Sequence, residues 1–587
     1  MNFKVMSDET LKSLFESLKE KNLHINKHLI EIILVVVFLI GVFSVYIYQI
    51  DHPSTSLFCD EAAIGYNAYS ISQTLRDEND TLLPLYIRNF LGHKMPVYVY
   101  LSAIIMKFTG LSVFSTRLLA VLCGIFTILF IYLLGRKYFN RFTGASAAIF
   151  LALTPGFFHL QRIAFELTTV SCFMLGSVYF WGIASERKSR WYSIIAVLFL
   201  ILAWYSYVPA QVFILATAVL LALTYVNHWK SFVIKLFKDH RKKLFAGISV
   251  FIVFFVIPWF VYMPDMVKTR HVTDNFILKQ GHQVLNHSRV MNYIKDNMGD
   301  IHQQVIELPV IAKQVIVGTV HYFKCYSPGF LFDHGDNLAR HLAPDFGPFN
   351  SIFIVLLPVG IIVLLNNIKK LEYRLLFIAF IAGGIPSALI IEDVQLTHNI
   401  YMFPVFALIA AVGLNYICQE VAKPLYLKVS IFVIVLFCML SYFHLYYSNY
   451  FNVYITKYEH DWQARRVEIL DFIDKNKSKY KQFYVSGQIH EIYMHLLFYG
   501  TSKYNFNPGA FQKDKKLPFN IKILEHELYL PAITAETINT YYGDDILLIL
   551  NERELDYHPS VKEFKYQSEI PYAVAKEFRS NANENNP

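Results

Sequence analysis

Long stretches without a charged residue dominate this sequence and restrict the folds open to it. The 587-residue chain contains ten charge-free windows, most of about the length that a helix needs to cross a bilayer. Only 17% of the residues are charged and 55% are hydrophobic, whereas a soluble protein needs roughly 25% charged residues to cover its surface. The composition therefore excludes an ordinary soluble enzyme and predicts that lipid surrounds much of the chain.

The windows predict eleven membrane-spanning helices, because the longest of them holds two. The window 191–229 is about twice as long as one span, and Tyr207, Val208 and Pro209 in its middle favour a helix end. The first window follows a charged stretch and is too long for the core of a cleavable signal, so we expect a retained anchor. The windows cover 32–50, 118–135, 142–161, 167–185, 191–229, 244–264, 346–368, 375–391, 394–419 and 429–447.

The apolar segment 95–106 is too short to cross the membrane, and the orientation of the other helices tests this assignment. The segment lies between Lys94 and Lys107, and its twelve residues favour a helix along the membrane surface. With eleven spans, the short loops rich in lysine and arginine all fall in the cytoplasm, as is usual for membrane proteins. A twelfth span would reverse either the N-terminal anchor or these loops. The basic residues lie within 136–141, 187–190, 230–243 and 369–374.

The expected fold is mainly α, a polytopic bundle of about eleven membrane helices with outward-facing interfacial helices and a C-terminal soluble α/β domain. In the C-terminal domain, the patterns predict helices over 461–476 and 491–499 and strands over 482–486 and 545–550. The predicted parts are a cytoplasmic segment 1–31, a membrane domain 32–447 with outer loops 51–117 and 265–345, and an extracytoplasmic domain 448–587.

Charge and cysteine content exclude two further classes of protein. The net charge of +8 is small for the length and lies in short clusters between apolar runs, which is typical of membrane topology and excludes a nucleic-acid partner. The six cysteines show neither a CxxC pair nor a metal-binding spacing. Cys59 and Cys325 both fall in outward segments, and a disulfide between them stays open.

Two adjacent carboxylates, Asp60 and Glu61, stand where a helix is predicted to begin after the first span. They could simply cap that helix and favour its dipole. The apolar membrane surface around them would also desolvate a carboxylate, and such a site can tune a base.

Further polar residues are predicted on the same side of the membrane. Each of them could have a structural role instead of a functional one. Lys94 could extend to the membrane interface, Arg162 and Glu166 could form an i,i+4 ion pair, and the histidines and tyrosines could be packing residues. The candidates for substrate binding are His93, Lys94, Tyr98, Arg162, Lys324, Arg340 and His341, and the candidate catalytic residues are Asp60, Glu61 and Glu166.

The order of these motifs resembles the GT-C membrane glycosyltransferases, and within them the bacterial aminoarabinose-transferase and protein O-mannosyltransferase group. The resemblance extends over roughly residues 32–210 and, more loosely, over the loop 327–332. It rests on Asp60-Glu61, Lys94-x-Pro96-x-Tyr98-x-Tyr100, Arg117-Leu118-Leu119-Ala120-x-x-x-Gly124, Leu134-Gly135-Arg136-x-x-Phe139 and Arg162-x-Ala164-x-Glu166.

The resemblance implies an inverting transferase in the cell membrane that uses a polyprenyl-phosphate sugar on the outer face. It implies that Asp60 is the catalytic base, that Lys94 contacts the donor phosphate, and that Glu166 matches the acid after the Arg-x-Ala turn. The acceptor would be a hydroxyl of an envelope lipid, polymer or protein. Fixed cations, such as Lys94, Arg340 or His341, would bind the donor phosphate and stabilise it as it leaves. The sequence departs from the family where Thr397 and His398 precede Pro404, since relatives often carry an arginine there.

Other functions remain open at this stage. A multi-span transporter or lipid flippase would also have many helices, but transport predicts ionisable groups deep within spans, whereas the windows are free of charge. A non-catalytic binding protein is a second alternative, and a ligase that uses a lipid pyrophosphate is a third. A divalent metal ion on Glu61 or Glu166 could share the work of the cations, although no spacing of ligands demands one.

Overall fold

The computed structural model of the chain describes most of the membrane domain and parts of the C-terminal domain. The predicted span 244–264 lies outside the described residues except for Ser249 and the π-helical turn Ile252–Val256, and most of the outer loop 265–345 before Val310 lies outside them too. The described residues are 27–52, 56–89, 92–224, 249, 252–256, 310–389, 393–480, 482–486, 489, 492–514, 516–524, 546–551, 562–565 and 571–578.

Helices make up nearly all of the described membrane domain, which confirms the predicted mainly α bundle. In chain order they are α1 Lys27–Ile47, α2 Cys59–Thr74, α3 Pro96–Thr109, α4 Val113–Tyr138, α5 Arg141–Ala152, α6 Pro155–Leu160, α7 Val170–Arg187, α8 Arg190–Trp204, α9 Val208–Thr224, α10 Val310–Lys324, α11 Phe353–Asn366, α12 Leu371–Ala382, α13 Ile385–Ala388, α14 Met402–Tyr416 and α15 Leu425–Asn449. A short hairpin of β1 Ile87–Asn89 and β2 Gly92–Lys94 precedes α3.

Six helical segments within the described residues are long and apolar enough to cross a membrane. Several windows are divided into shorter helices: the longest is broken between α8 and α9 at the predicted position, and 142–161 is broken before Pro155, which starts α6. The count of eleven spans and the interfacial position of α3 remain predictions. The six segments are His28–Ile47, Val113–Tyr138, Glu166–Arg187, Leu371–Ala388, Met402–Val421 and Leu425–Lys457.

Three of the four basic clusters lie at one end of the bundle, and the fourth, 230–243, lies outside the described residues. Side chains from the start of α1, from the α4–α5 connection, from the end of α7 and from the start of α12 contact one another there. The candidate site residues lie near the far ends of these helices, at the opposite end of the bundle. The contacts are the ion pairs Glu31–Arg136 and Lys137–Glu186 and the ring pair Phe139–Tyr373.

The C-terminal domain is built on a five-stranded mixed sheet with helices, which agrees with the predicted α/β type. β3 runs parallel to both β4 and β5, whereas β7 runs antiparallel to β5 and β6, in the spatial order β4-β3-β5-β7-β6. The elements are α16 Ile455–Lys457, α17 Val467–Asn476, β3 Gln482–Ser486, α18 Ile492–Tyr504, α19 Pro508–Asp514, β4 Ile521–Leu524, β5 Ile546–Asn551, β6 Lys562–Lys565 and β7 Pro571–Phe578.

Helix α17 begins six residues later than the pattern predicts, since 461–466 form turns. Gln463 and Arg465 have φ angles of 51° and 64°, in the left-handed region, which an α-helix excludes. The amphipathic spacing of 461–476 does not register this break.

Helix α2 is buried between the membrane domain and the C-terminal domain. Ala62, Ala63 and Tyr66 belong to the hydrophobic core of the C-terminal domain, together with Phe498 of α18. A Cβ atom on Gly65 would lie 2.7 Å from a ring atom of Phe498 and 2.8 Å from Oγ1 of Thr116 in α4, so only glycine fits there without a shift. The helix that begins at Cys59 is therefore fixed from both sides.

Candidate active site

Asp60 and Lys94 form an ion pair at the end of the bundle opposite the basic loops. The Lys94 Nζ lies 2.7 Å from Asp60 Oδ1, although the two residues are 34 apart in sequence. Asp60 is the second residue of α2, where the helix dipole favours a carboxylate, and Lys94 ends β2. Their side chains are 25% and 17% exposed, so both are partly accessible to solvent.

Glu166 joins this pair through the residue after Lys94. Its Oε1 accepts a hydrogen bond from the backbone N–H of Met95. Burial disfavours the charged form of Lys94, but the carboxylates of Asp60 and Glu166 outweigh that effect and raise the pKa of Lys94. One cation thus stands between two carboxylates, and three segments that are distant in sequence converge as predicted.

Tyr207 lies beside these carboxylates, in the turn between α8 and α9. Burial, followed by the charges of Glu166 and Asp60, raises the pKa of Tyr207, which therefore stays a neutral hydroxyl. Its ring stacks on His398 with centroids 6.5 Å apart and an interplanar angle of 20°. The segment in which this sequence departs from the resembled family thus reaches the same site.

Glu61 occupies a different position from its neighbour. It is fully buried, and both of its carboxylate oxygens are 2.8 Å from nitrogens of Arg117. The backbone N–H groups of Phe58 and Ala164 also donate to it. With its oxygens bound in this way, Glu61 fixes the fold around the site, and the geometry gives it neither a catalytic nor a metal-binding role.

Arg162 holds the C-terminal end of α1 instead of pairing with Glu166. Its guanidinium is buried and donates to the carbonyl oxygens of Tyr46 and Gln49, the groups that a helix end leaves unpaired. Neither the i,i+4 ion pair nor a direct contact with substrate follows from this arrangement. The ring centroids of three aromatic residues lie within 5.3 Å of the guanidinium carbon: Phe158, Tyr450 and Phe451.

Tyr98 also packs inside the structure. Its side chain is 0% exposed, and its hydroxyl donates to the carbonyl oxygen of Thr116 at 2.8 Å, which fastens α3 to α4. The structure gives Tyr98 a packing role rather than the predicted contact with substrate. His93 lies opposite Arg88 in the hairpin that presents Lys94.

The candidate residues of the loop 265–345, which is predicted to face outward, lie in two places. His341 Nδ1 is 2.8 Å from Asp336 Oδ2, and its ring packs edge-on against Phe165, next to Glu166. Burial opposes the charge of Asp336, but His341 and two backbone N–H donors outweigh it and lower the pKa of Asp336. Lys324, at the end of α10, instead pairs with Asp393 at 2.6 Å.

Arg340 lies beside the start of α2. Its guanidinium carbon is 4.5 Å from the ring centroid of Phe58, two residues before Asp60. Burial raises the pKa of Asp461 in the C-terminal domain, and the positive charge of Arg340 partly offsets this rise. Of the predicted cations, Lys94 and Arg340 therefore lie beside the start of α2, and His341 lies next to Glu166.

Two further predictions concern metal and disulfide. Within the described parts of the chain, no three His, Cys, Asp or Glu side chains group closely enough to hold a metal ion. Cys59 and Cys325 are both buried and no disulfide joins them.

Sequence reasoning missed the roles of Arg117, Tyr207 and Asp393. Arg117 stood in a quoted motif, and its charge at the edge of the apolar window 118–135 was the available signal that a buried partner exists. Tyr207 was noted only as part of a helix end. Asp393 interrupts two apolar windows, and nothing in its spacing points to Lys324.

Comparison with known proteins identifies similar families and structures. Residues 93–262 match the family described as "Dolichyl-phosphate-mannose-protein mannosyltransferase". No curated protein sequence matches the chain. A crystal structure of ArnT from Cupriavidus metallidurans bound to undecaprenyl phosphate is similar with a TM-score of 0.48 and 12% identity, covering 93% of this chain and 97% of that chain. The apo oligosaccharyltransferase of Archaeoglobus fulgidus is similar with a TM-score of 0.47 and 14% identity, covering 79% and 63%.

The family match covers Lys94, Arg117 and Glu166, whereas Asp60 precedes it. It supports a membrane glycosyltransferase. Over residues 93–262 the chain thus matches the dolichyl-phosphate-mannose-protein mannosyltransferase family, which confirms the resemblance to the protein O-mannosyltransferase group that the sequence indicated.

Proposed function

We propose that this protein is an inverting glycosyltransferase that moves a sugar from a polyprenyl-phosphate donor to a hydroxyl acceptor on the outer face of the membrane. The observation that carries the proposal is the partly exposed Asp60–Lys94 ion pair at the end of the bundle opposite the basic loops. It supplies a base and a phosphate-binding cation within one site. The family match supports a lipid-phosphate donor, since its description names dolichyl-phosphate mannose.

Asp60 would act as the general base. As the acceptor oxygen forms its bond to the anomeric carbon, its proton passes to a carboxylate oxygen of Asp60. The bond between the anomeric carbon and the phosphate oxygen breaks on the opposite face of the sugar, so the configuration inverts. A single displacement of this kind needs one base, which fits a site where Glu61 is already bound to Arg117.

Lys94 would bind the donor phosphate and stabilise it as it leaves. Negative charge grows on the phosphate during bond breaking, and a fixed cation in a partly desolvated site lowers the energy of that state. When Lys94 turns from Asp60 to the phosphate, the carboxylate is released for the acceptor. Glu166 bound to the Met95 N–H would keep the end of β2, and therefore Lys94, in place.

A transporter or flippase is the second candidate, and the position of the charged residues disfavours it. Asp60 and Glu166 lie at helix starts and Lys94 ends a β-strand, so none of them lies midway along a span. Transport sites lie near the centre of the bilayer.

The proposal is tested with the purified full-length protein in nanodiscs, supplied with synthetic undecaprenyl-phosphate mannose. We expect release of polyprenyl phosphate that depends on Asp60 and on added envelope extract as acceptor. Mass spectrometry of envelope glycans from cells with and without the protein identifies the product. Unchanged glycans, together with movement of the lipid across the bilayer without cleavage, would contradict the glycosyltransferase and support the transporter or flippase.

A further inference from the structure

A glutamine of the C-terminal domain binds the first turn of the helix that carries Asp60. Gln463 Oε1 lies 3.1 Å from the backbone nitrogen of Cys59, the residue before Asp60, and 3.0 Å from Nε2 of His495. A backbone N–H can only donate, so the atom that faces it is the carbonyl oxygen of Gln463. That oxygen is also the acceptor for His495, which therefore carries a proton on Nε2.

The backbone at Gln463 is held in an uncommon conformation. Its φ angle of 51° lies in the left-handed region, which non-glycine residues seldom adopt, and the side chain is buried. Such conformations persist where the surroundings fix them, and they concentrate at functional sites. Here the conformation belongs to the turn 461–466, which directs the amide toward α2.

Gln512 binds the other end of the same helix. Its Nε2 donates to Ser70 Oγ at 2.7 Å and to the carbonyl oxygen of Asp77 at 2.9 Å. The C-terminal domain thus holds α2 at both ends with one buried glutamine each. Gln463 binds the end beside Asp60, and Gln512 binds the end that is three to four helical turns away, at 5.4 Å per turn.

We propose that Gln463 is a positioning residue for Asp60, through which the C-terminal domain sets the geometry of the base. This inference rests on the proposed role of Asp60. The first N–H groups of a helix have no partner within it, and the buried Cys59 N–H would lose its acceptor if Gln463 were replaced by an apolar side chain. The first turn of α2 would then loosen and displace the Asp60 carboxylate, and a shift of about 1 Å can reduce catalysis roughly 100-fold.

Three variants of the full-length protein separate positioning from general stability. Gln463→Met keeps the length of the side chain and removes the acceptor, whereas Gln463→Glu keeps an acceptor for both Cys59 and His495. Gln512→Met removes the matching contact at the far end of α2. Thermal unfolding in nanodiscs shows whether each variant is folded.

Amide hydrogen exchange provides a readout that needs no substrate. We expect Gln463→Met to raise exchange in a peptide covering 57–64 about tenfold, Gln463→Glu to leave it near the wild-type rate, and Gln512→Met to raise exchange around 70–78 instead. Unchanged exchange at 57–64 in folded Gln463→Met would overturn the assignment.

Turnover of undecaprenyl-phosphate mannose provides the second readout. Gln463→Met should lower kcat at least tenfold with KM for the donor within about twofold, Gln463→Glu should recover most of kcat, and Gln512→Met should keep kcat near wild type. Equal losses in Gln463→Met and Gln512→Met would reduce Gln463 to a structural contact. If wild type and Asp60→Asn turn over equally, the proposed function fails, while the exchange result still decides whether Gln463 holds the helix.

Discussion

Arg117 and Glu61 form a buried ion pair that joins four segments at the end of the bundle that holds Asp60. Arg117 binds both Glu61 oxygens from α4, and its third nitrogen donates to the carbonyl oxygen of Ile50 after α1 at 2.8 Å. Glu61 in turn accepts the N–H of Ala164, in the turn that leads to Glu166. The pair therefore fixes the surroundings of Asp60 without exposing a charge to the site.

Glu61→Gln should lower the free energy of unfolding by about 3–5 kcal/mol, because it leaves Arg117 buried without a counter-charge. Thermal unfolding in nanodiscs measures the loss. Glu186→Gln, which removes an exposed partner of Lys137, is the matched control and should cost less than about 1 kcal/mol. The double variant with Arg117→Met should lose less than the sum of the two single variants, and strict additivity would contradict the coupling.

Asp60→Asn should lower the rate of sugar transfer by about 10²–10⁴-fold, because the amide has nearly the same shape but cannot accept the proton of the acceptor. The rate is measured with undecaprenyl-phosphate mannose in nanodiscs. Asp51→Asn changes an exposed carboxylate at the end of the first helix and should leave the rate unchanged. A fully active Asp60→Asn would remove Asp60 as the base.

Lys94→Ala should raise KM for the lipid-phosphate donor more than KM for the acceptor, because it removes the cation nearest the proposed base. The comparison is made by varying each substrate in turn. Lys107→Ala, on α3, serves as the control, since its Nζ binds the carbonyl oxygen of Ser72 and lies away from Asp60. Equal effects on both substrates would show that Lys94 acts only through the fold.

A cysteine introduced at Thr109 should react with a membrane-impermeant thiol reagent in intact cells, because α3 is expected on the outer surface. Arg187→Cys, in a basic loop at the opposite end of the bundle, should react only after permeabilisation. Five of the six natural cysteines are buried, which keeps the background low. The reverse pattern would invert the predicted orientation.

The sequence predicts the helical bundle well, since spans are set by length and hydropathy alone. It also predicts that Asp60, Lys94 and Glu166 meet, because these residues stand in ordered motifs on one predicted side of the membrane. The local pattern does not separate Asp60 from Glu61, and only the resemblance favours Asp60 as the base. Adjacent residues on a helix point about 100° apart, and the packing of α2 shows that Glu61 is the one that faces Arg117.

Contacts across domains are the least predictable part of the site. Gln463 and Cys59 are 404 residues apart, and no local pattern links a polar residue in a turn with a helix N-terminus elsewhere. The same reason hides the pair of Lys324 and Asp393. Arg162 shows the opposite error, because the local i,i+4 spacing to Glu166 suggests a pair, whereas tertiary packing directs the arginine to α1.

The close fit at Gly65 limits how this protein can move. At that point the ring of Phe498 and the side chain of Thr116 are separated by a single residue without a side chain. Sliding or tilting of the C-terminal domain on the bundle would have to open this seam and expose apolar surface to water. Substrate entry and product departure must therefore be accommodated elsewhere, while the α2 seam stays closed throughout a turnover.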